Sequence, residues 1–159
     1  MSTKRRREQN EIFQFGGLKA APGEKTEGWI ELAVGKFSLP AAVIHGKNSG
    51  KTVLITAGIH GGEYVGIQSA VELAKELKPD KVDGTIVIVK VVSRDSFENR
   101  TGSLGMEDGK NLNRVFPGDP QGSETEQLAY ALSSQLQPLA DYYIDLHSGD
   151  DYEKLTPYV

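Results

Sequence analysis

Apolar and polar positions fall into distinct blocks along this chain of 159 residues, and the blocks predict its elements. Trp29-Ile30-Glu31-Leu32-Ala33-Val34 and the run from Phe37 to His45 read as two strands, with Gly35-Lys36 as the hairpin turn between them. Val53-Leu54-Ile55-Thr56-Ala57 is almost wholly apolar and ends at Gly58; a run this short suits a strand covered on both faces. From Glu63 to Leu77 the period changes. Val65, Ile67, Ala70, Val71, Leu73, Ala74 and Leu77 recur at helical spacing, and Pro79 stops the helix. Ile86 to Val92 is the next buried strand, broken only by Lys90. Residues 93–122 are rich in Gly, Asn, Asp and Ser and predict a long loop, a feature that in a compact domain usually carries function. Ser123 with Glu126 forms a capping box for a helix reaching to about Gln137, before Pro138. Tyr142-Tyr143-Ile144-Asp145-Leu146 is the last strand.

Strands alternating with helices predict the α/β class, with helices on both faces of a sheet. In such sheets ligands bind beyond the carboxyl ends of the strands. The segment Gly58 to Glu63 and the residue His147 both stand at carboxyl ends.

Composition narrows the partners. Lys and Arg number 18 against 22 Asp and Glu, a net charge of -4, so no global basic field recruits nucleic acid. The cysteine count is zero, which removes disulfides and thiolate ligands; a metal must be held by His, Asp or Glu, and a cytoplasmic location is expected. Lys4-Arg5-Arg6-Arg7 is followed by polar residues rather than an apolar stretch, so residues 1–10 are expected to be a flexible basic terminus and 11–159 the domain. No apolar run is long enough to span a bilayer, and no membrane partner is expected.

Three segments carry the chemistry. Gly58-Ile59-His60-Gly61-Gly62-Glu63 offers an imidazole and a carboxylate three residues apart, with glycines clearing the strand-to-helix turn. Asp145-Leu146-His147-Ser148-Gly149 offers a second imidazole at a strand end. Two histidines, one glutamate and an open position make a common hydrolytic zinc site. Each part also has a plainer reading: Glu63 favours a helix N-terminus, and His60 and His147 are a turn and a strand-end residue. Between the two segments lies Asn111-Leu112-Asn113-Arg114. Arg114 suits a substrate carboxylate, or is an ordinary surface arginine in a polar loop. Arg100, earlier in the loop, is placed to stabilise negative charge developing on a carbonyl oxygen. Asp145 is a candidate partner for a ligand ring, although strand alternation can aim it elsewhere. His45 shows no ligand context. Gly46-Lys47-Asn48-Ser49-Gly50-Lys51-Thr52 imitates a phosphate-binding loop, but it has three residues rather than four between its glycines and precedes a strand instead of a helix.

Taken together, Ala57-Gly58-Ile59-His60-Gly61-Gly62-Glu63-Tyr64-Val65-Gly66, Asn111-Leu112-Asn113-Arg114-Val115-Phe116-Pro117-Gly118 and Asp145-Leu146-His147-Ser148-Gly149 resemble the succinylglutamate desuccinylase/aspartoacylase family, relatives of the zinc carboxypeptidases. The resemblance runs from about Pro22 to the end, and its three motifs stand in the family's order. It implies a three-layer αβα fold around a mixed, mostly parallel sheet, carboxypeptidase-like and truncated. It implies one zinc ion per chain held by His60, Glu63 and His147, a substrate carboxylate held by Asn113 and Arg114, and an oxyanion stabilised by Arg100. Asn111 stands where many members carry aspartate. The implied reaction is hydrolysis of the amide bond of an N-acyl amino acid or similar small acylated carboxylate. The other readings are a carboxypeptidase-like metallopeptidase and a non-catalytic metal-binding module. The family's general-base glutamate lies well downstream of the third ligand; Asp150, Asp151 and Glu153 follow His147 too soon to match it, so the chain is expected to be the N-terminal part of the catalytic domain. A sheet with a bare edge would also allow a homo-oligomer.

Overall fold

The computed structural model describes residues 11–34, 37–150, 153, 154 and 156. The basic run at 4–7 and the Gly35-Lys36 turn lie outside the described residues. Seven strands and three α-helices follow in chain order among the described residues: β1 Phe13–Phe15, β2 Leu18–Ala20, β3 Glu24–Leu32, β4 Phe37–His45, β5 Asn48–Ala57, α1 Tyr64–Glu76, β6 Asp83–Val89, α2 Arg94–Asn99, α3 Glu124–Ala131 and β7 Tyr142–Leu146.

The main sheet has the order β3-β4-β6-β5-β7. β3 pairs antiparallel with β4, and β4 with β6; β5 pairs parallel with β6 on one side and β7 on the other. The sheet is mixed as expected, but its four pairings divide evenly rather than being mostly parallel. The reason is the hairpin, whose second strand docks against β6 and extends the antiparallel half.

Helices cover both faces. On one face Ala70 and Ala74 of α1 meet Ala42, Ile44, Ile55, Ala57 and Ile88. On the other, Leu128 and Ala129 of α3 join Leu39, Ala41, Val43, Leu54, Val87 and Val89. Alternate residues of one strand enter opposite clusters because successive side chains leave a strand on opposite faces. Leu54 and Ile55 of β5 show this directly. In α1 the buried stripe is Gly66, Ile67, Ala70 and Ala74; Val65 and Val71 from the apolar series lie on the exposed side.

Other expectations shift. The predicted loop at 93–122 contains α2 and a 3₁₀ turn at Leu112–Arg114. The six residues of α2 show no apolar period, so pattern alone missed them. The helix begun by Ser123 has its capping box, with Ser123 N–H donating to Glu126 Oε2 at 2.9 Å, but its α-helical part ends at Ala131 and continues as a π-turn over Leu132–Leu136. The short β1–β2 hairpin was not foreseen.

Candidate metal centre

Parallel pairing places the ends of β5 and β7 side by side, with Ala57 opposite Leu146. The chain leaves β5 through Gly58 and turns into α1; the chain leaving β7 carries His147. His60 lies in the turn rather than on the helix, and Glu63 is the residue preceding α1. Their shared direction therefore comes from the turn, not from a helical face.

This turn is pressed against its surroundings. A Cβ at Gly61 would stand 2.3 Å from Phe97 N, and one at Gly62 would stand 2.0 Å from Asp150 Oδ1. Only glycine lets the backbone approach α2 and the segment after β7 this closely. Gly62 N–H donates to Gly102 O at 3.0 Å, tying the turn to the loop after α2.

The three expected ligands converge. His60 Nδ1 lies 2.8 Å from Glu63 Oε1, and His147 Nδ1 lies 2.8 Å from Glu63 Oε2. One donor atom from each residue falls within 4.8 Å of the others, a group able to hold a metal ion. Glu63 is buried, while the imidazoles reach the surface. The remaining nitrogen of each ring is also held. His60 Nε2 lies 3.0 Å from Asn111 Oδ1, which accepts the backbone N–H of Asn113 as well, at 2.9 Å. That second donor identifies the atom as the amide oxygen, so His60 donates from Nε2. His147 Nε2 lies 2.8 Å from Asp145 Oδ2. Both rings thus turn Nδ1 toward the same space, the orientation that outer partners impose on metal-binding histidines.

The electrostatics agree with a cation's place. Burial works to raise Glu63, but hydrogen bonds from His147, His60 and the Ser148 N–H overcome it and hold the carboxyl at about 2. The Asp145 hydrogen bond, followed by that of Glu63, raises His147 to about 10 against the effect of burial. Glu63, with help from Asn111, raises His60 above its usual 6.5. Carboxylates clustered around two imidazoles favour positive charge, whether proton or metal. The donor set of two nitrogens and one carboxylate fits zinc.

The remaining predicted site residues divide. Asn113 stands beside the His147 ring, its Nδ2 3.5 Å from Nε2, the nitrogen that faces Asp145 rather than the ligand space. Arg114 follows it on the 3₁₀ turn, exposed; its Nη1 donates to Asn113 O at 3.3 Å, and no ion pair forms there among the described residues. Arg100 terminates α2 with φ 57°, also exposed, two residues from the Gly102 carbonyl that binds the ligand turn. Among the described residues no hydrogen bond or ion pair joins Arg100 to the three ligands, and its only link to the turn runs through the backbone to Gly102. Asn111 and Asp145 emerge as holders of the rings. Their signal was adjacency to the two motifs; alternation then aims Asp145 onto the face of His147, two positions on. His45 is buried, its Nδ1 2.8 Å from Thr85 Oγ1, and stands outside the ligand group.

A mixed αβα sheet with this ligand group at the ends of its parallel strands is a carboxypeptidase-like architecture. Residues 49–159 match the succinylglutamate desuccinylase/aspartoacylase catalytic domain, and the chain belongs to that family. It is 35% identical over 147 residues to the N-alpha-acetyl-L-2,4-diaminobutyric acid deacetylase of Halomonas elongata, covering 91% of this chain and 40% of that protein's length. An aspartoacylase family protein from Mesorhizobium loti overlays with a TM-score of 0.70 at 34% identity, covering 89% of this chain and 44% of that one. A putative carboxypeptidase A from Shewanella denitrificans shares the fold alone, with a TM-score of 0.53 at 18% identity over 79% of this chain and 35% of its own.

Proposed function

We propose that this chain carries the metal-binding and carboxylate-binding part of a zinc-dependent deacylase. The whole protein would cleave the amide bond of an N-acyl amino acid or a similar small acylated carboxylate. The observation that carries the reading is the convergence of His60, Glu63 and His147, each ring fixed from behind. The name of the Halomonas elongata relative, a deacetylase of an acetylated amino acid, supports the reaction class.

His60 and His147 would hold zinc through Nδ1, and Glu63 through its carboxylate. Bound there, zinc would supply Lewis acidity, polarising a carbonyl and lowering the pKa of a water toward about 7. This chain's own groups hold and orient. Asn111 and Asp145 keep both rings facing inward. Arg114 offers a planar fork of donors with no carboxylate partner among the described residues, which suits a substrate carboxylate. Asn113 presents its amide beside His147 and helps orient that carboxylate. Arg100, two residues from the Gly102 carbonyl that holds the ligand turn, would donate to the oxygen on which charge develops.

The test uses the protein expressed from its complete reading frame, loaded with zinc. N-acetyl amino acids are compared with peptides bearing free C-termini. Hydrolysis of the acetyl amino acids supports the reading. Cleavage of peptides alone makes it a peptidase, and no hydrolysis of either, despite bound zinc, makes it a binding module.

A further inference from the structure

We infer that Thr56 is a positioning residue for this metal centre, acting through Asp145 on the His147 ring; the inference rests on the metal-centre reading above. Thr56 lies on β5, 1% exposed, and is paired in the parallel ladder with Asp145 of β7. Its hydroxyl has two partners, Asp145 Oδ1 at 2.7 Å and the Tyr143 hydroxyl at 2.9 Å. It has one proton to give. A carboxylate oxygen takes part as an acceptor, so the Thr56 proton points to Asp145, and Tyr143 must donate to Thr56. The chain of bonds therefore runs one way, from Tyr143 through Thr56 to Asp145. Asp145 then meets His147 Nε2 as an acceptor from its other oxygen, at 2.8 Å.

The geometry explains why a hydroxyl is needed at this buried position. Tyr143, Asp145 and His147 alternate onto one face, and Thr56 is the neighbour across from the middle one. With both oxygens engaged, the Asp145 carboxylate has a set rotation. Without the Thr56 bond one oxygen loses its partner, the carboxylate turns, and His147 loses the anchor that aims Nδ1 at Glu63. Valine matches threonine in shape and β-preference but supplies no proton, so packing alone does not account for the arrangement.

The experiment compares wild type with Thr56→Val, Thr56→Ser and Thr56→Ala, the last removing the hydroxyl without adding a methyl group to a buried site. In the metal-free chain, proton NMR with ¹⁵N-labelled histidine follows the His147 Nε2–H. A slowly exchanging, downfield proton is expected in wild type and Thr56→Ser, and a fast-exchanging one in the Val and Ala variants. Zinc affinity is then read by competition with a chromophoric chelator. Loss of the hydroxyl should weaken zinc by about tenfold, at the low end for outer partners of metal ligands, and Thr56→Ser should restore it. An unchanged Nε2–H, or unchanged zinc affinity, in the Val and Ala variants overturns the inference. A wild-type chain that takes up no zinc instead refutes the metal-centre reading, and the Nε2–H exchange then decides the Thr56 relay by itself.

Discussion

Gly61→Ala should damage stability and metal binding together. Gly61 does not have a positive φ, so the constraint is contact and not backbone strain. An added Cβ would meet Phe97 N at 2.3 Å, Ser96 C at 2.6 Å and Ser96 Oγ at 2.7 Å. Ordinary contact would require about 1 Å more room. The obstacle is mostly main chain, and it is tied down: Phe97 N–H donates to Ser93 O, Thr101 N–H to Ser96 O, and Ser96 Oγ to Gly102 O. Either α2 shifts or the ligand turn does, and a shifted turn carries His60 away from Glu63. Overpacking of this kind costs about 1–3 kcal/mol. At ~2–4 °C per kcal/mol for a chain of this size, Tm should fall by roughly 2–12 °C. Calorimetric melts with and without zinc give both readouts. Zinc at a hundredfold excess over Kd should stabilise wild type by about 2.7 kcal/mol, and the variant by clearly less. A variant that melts like wild type and gains the same increment from zinc would refute the reasoning.

Three further expectations follow from separate parts of the molecule. Lys25 Nζ donates to the carbonyls of Ala74, Lys75 and Leu77 at the end of α1, at 2.9, 3.0 and 3.1 Å; Lys25→Met should cost about 1–2 kcal/mol in urea unfolding, and an unchanged midpoint would exclude that role. Burial works to raise Asp108, but bonds from Ser123, Lys110 and Thr125 outweigh it and lower the carboxyl from 3.8 to about 2. Its stabilising contribution is therefore complete above pH 3.8 and fades as pH falls through 2; urea midpoints measured from pH 5 downward should fall more steeply in wild type than in Asp108→Asn, and parallel curves would contradict this. Arg114→Ala should lower kcat/KM on N-acetyl amino acids by roughly tenfold to hundredfold, the loss of a charged hydrogen bond; equal kinetics would remove Arg114 from carboxylate binding.

What could be read from residue order was what depends on local period. The apolar run at Val53–Ala57, the first part of the run at Ile86–Val92 (β6 ends at Val89), the helical spacing after Glu63 and the Ser123–Glu126 cap each correspond to an observed element. Long-range pairing was not legible: nothing in β6 indicates that it inserts between β4 and β5, which sets the balance of parallel and antiparallel pairs. The candidate site was named from its motifs, but its geometry came from packing. His60 and Glu63 meet because Gly61 and Gly62 press the turn onto α2 and Asp150. Asp145 faces His147 because β7 pairs in a register that sets Thr56 beside it. Asn111, read as a mild departure from aspartate, holds the His60 ring through its amide oxygen.

Zinc titration by isothermal calorimetry tests the central claim most directly, on wild type beside His60→Ala, Glu63→Gln and His147→Ala. The account predicts one zinc per chain in wild type and loss of that binding in each variant. Undiminished uptake by His147→Ala, the ligand brought in from the far end of the chain, would contradict it.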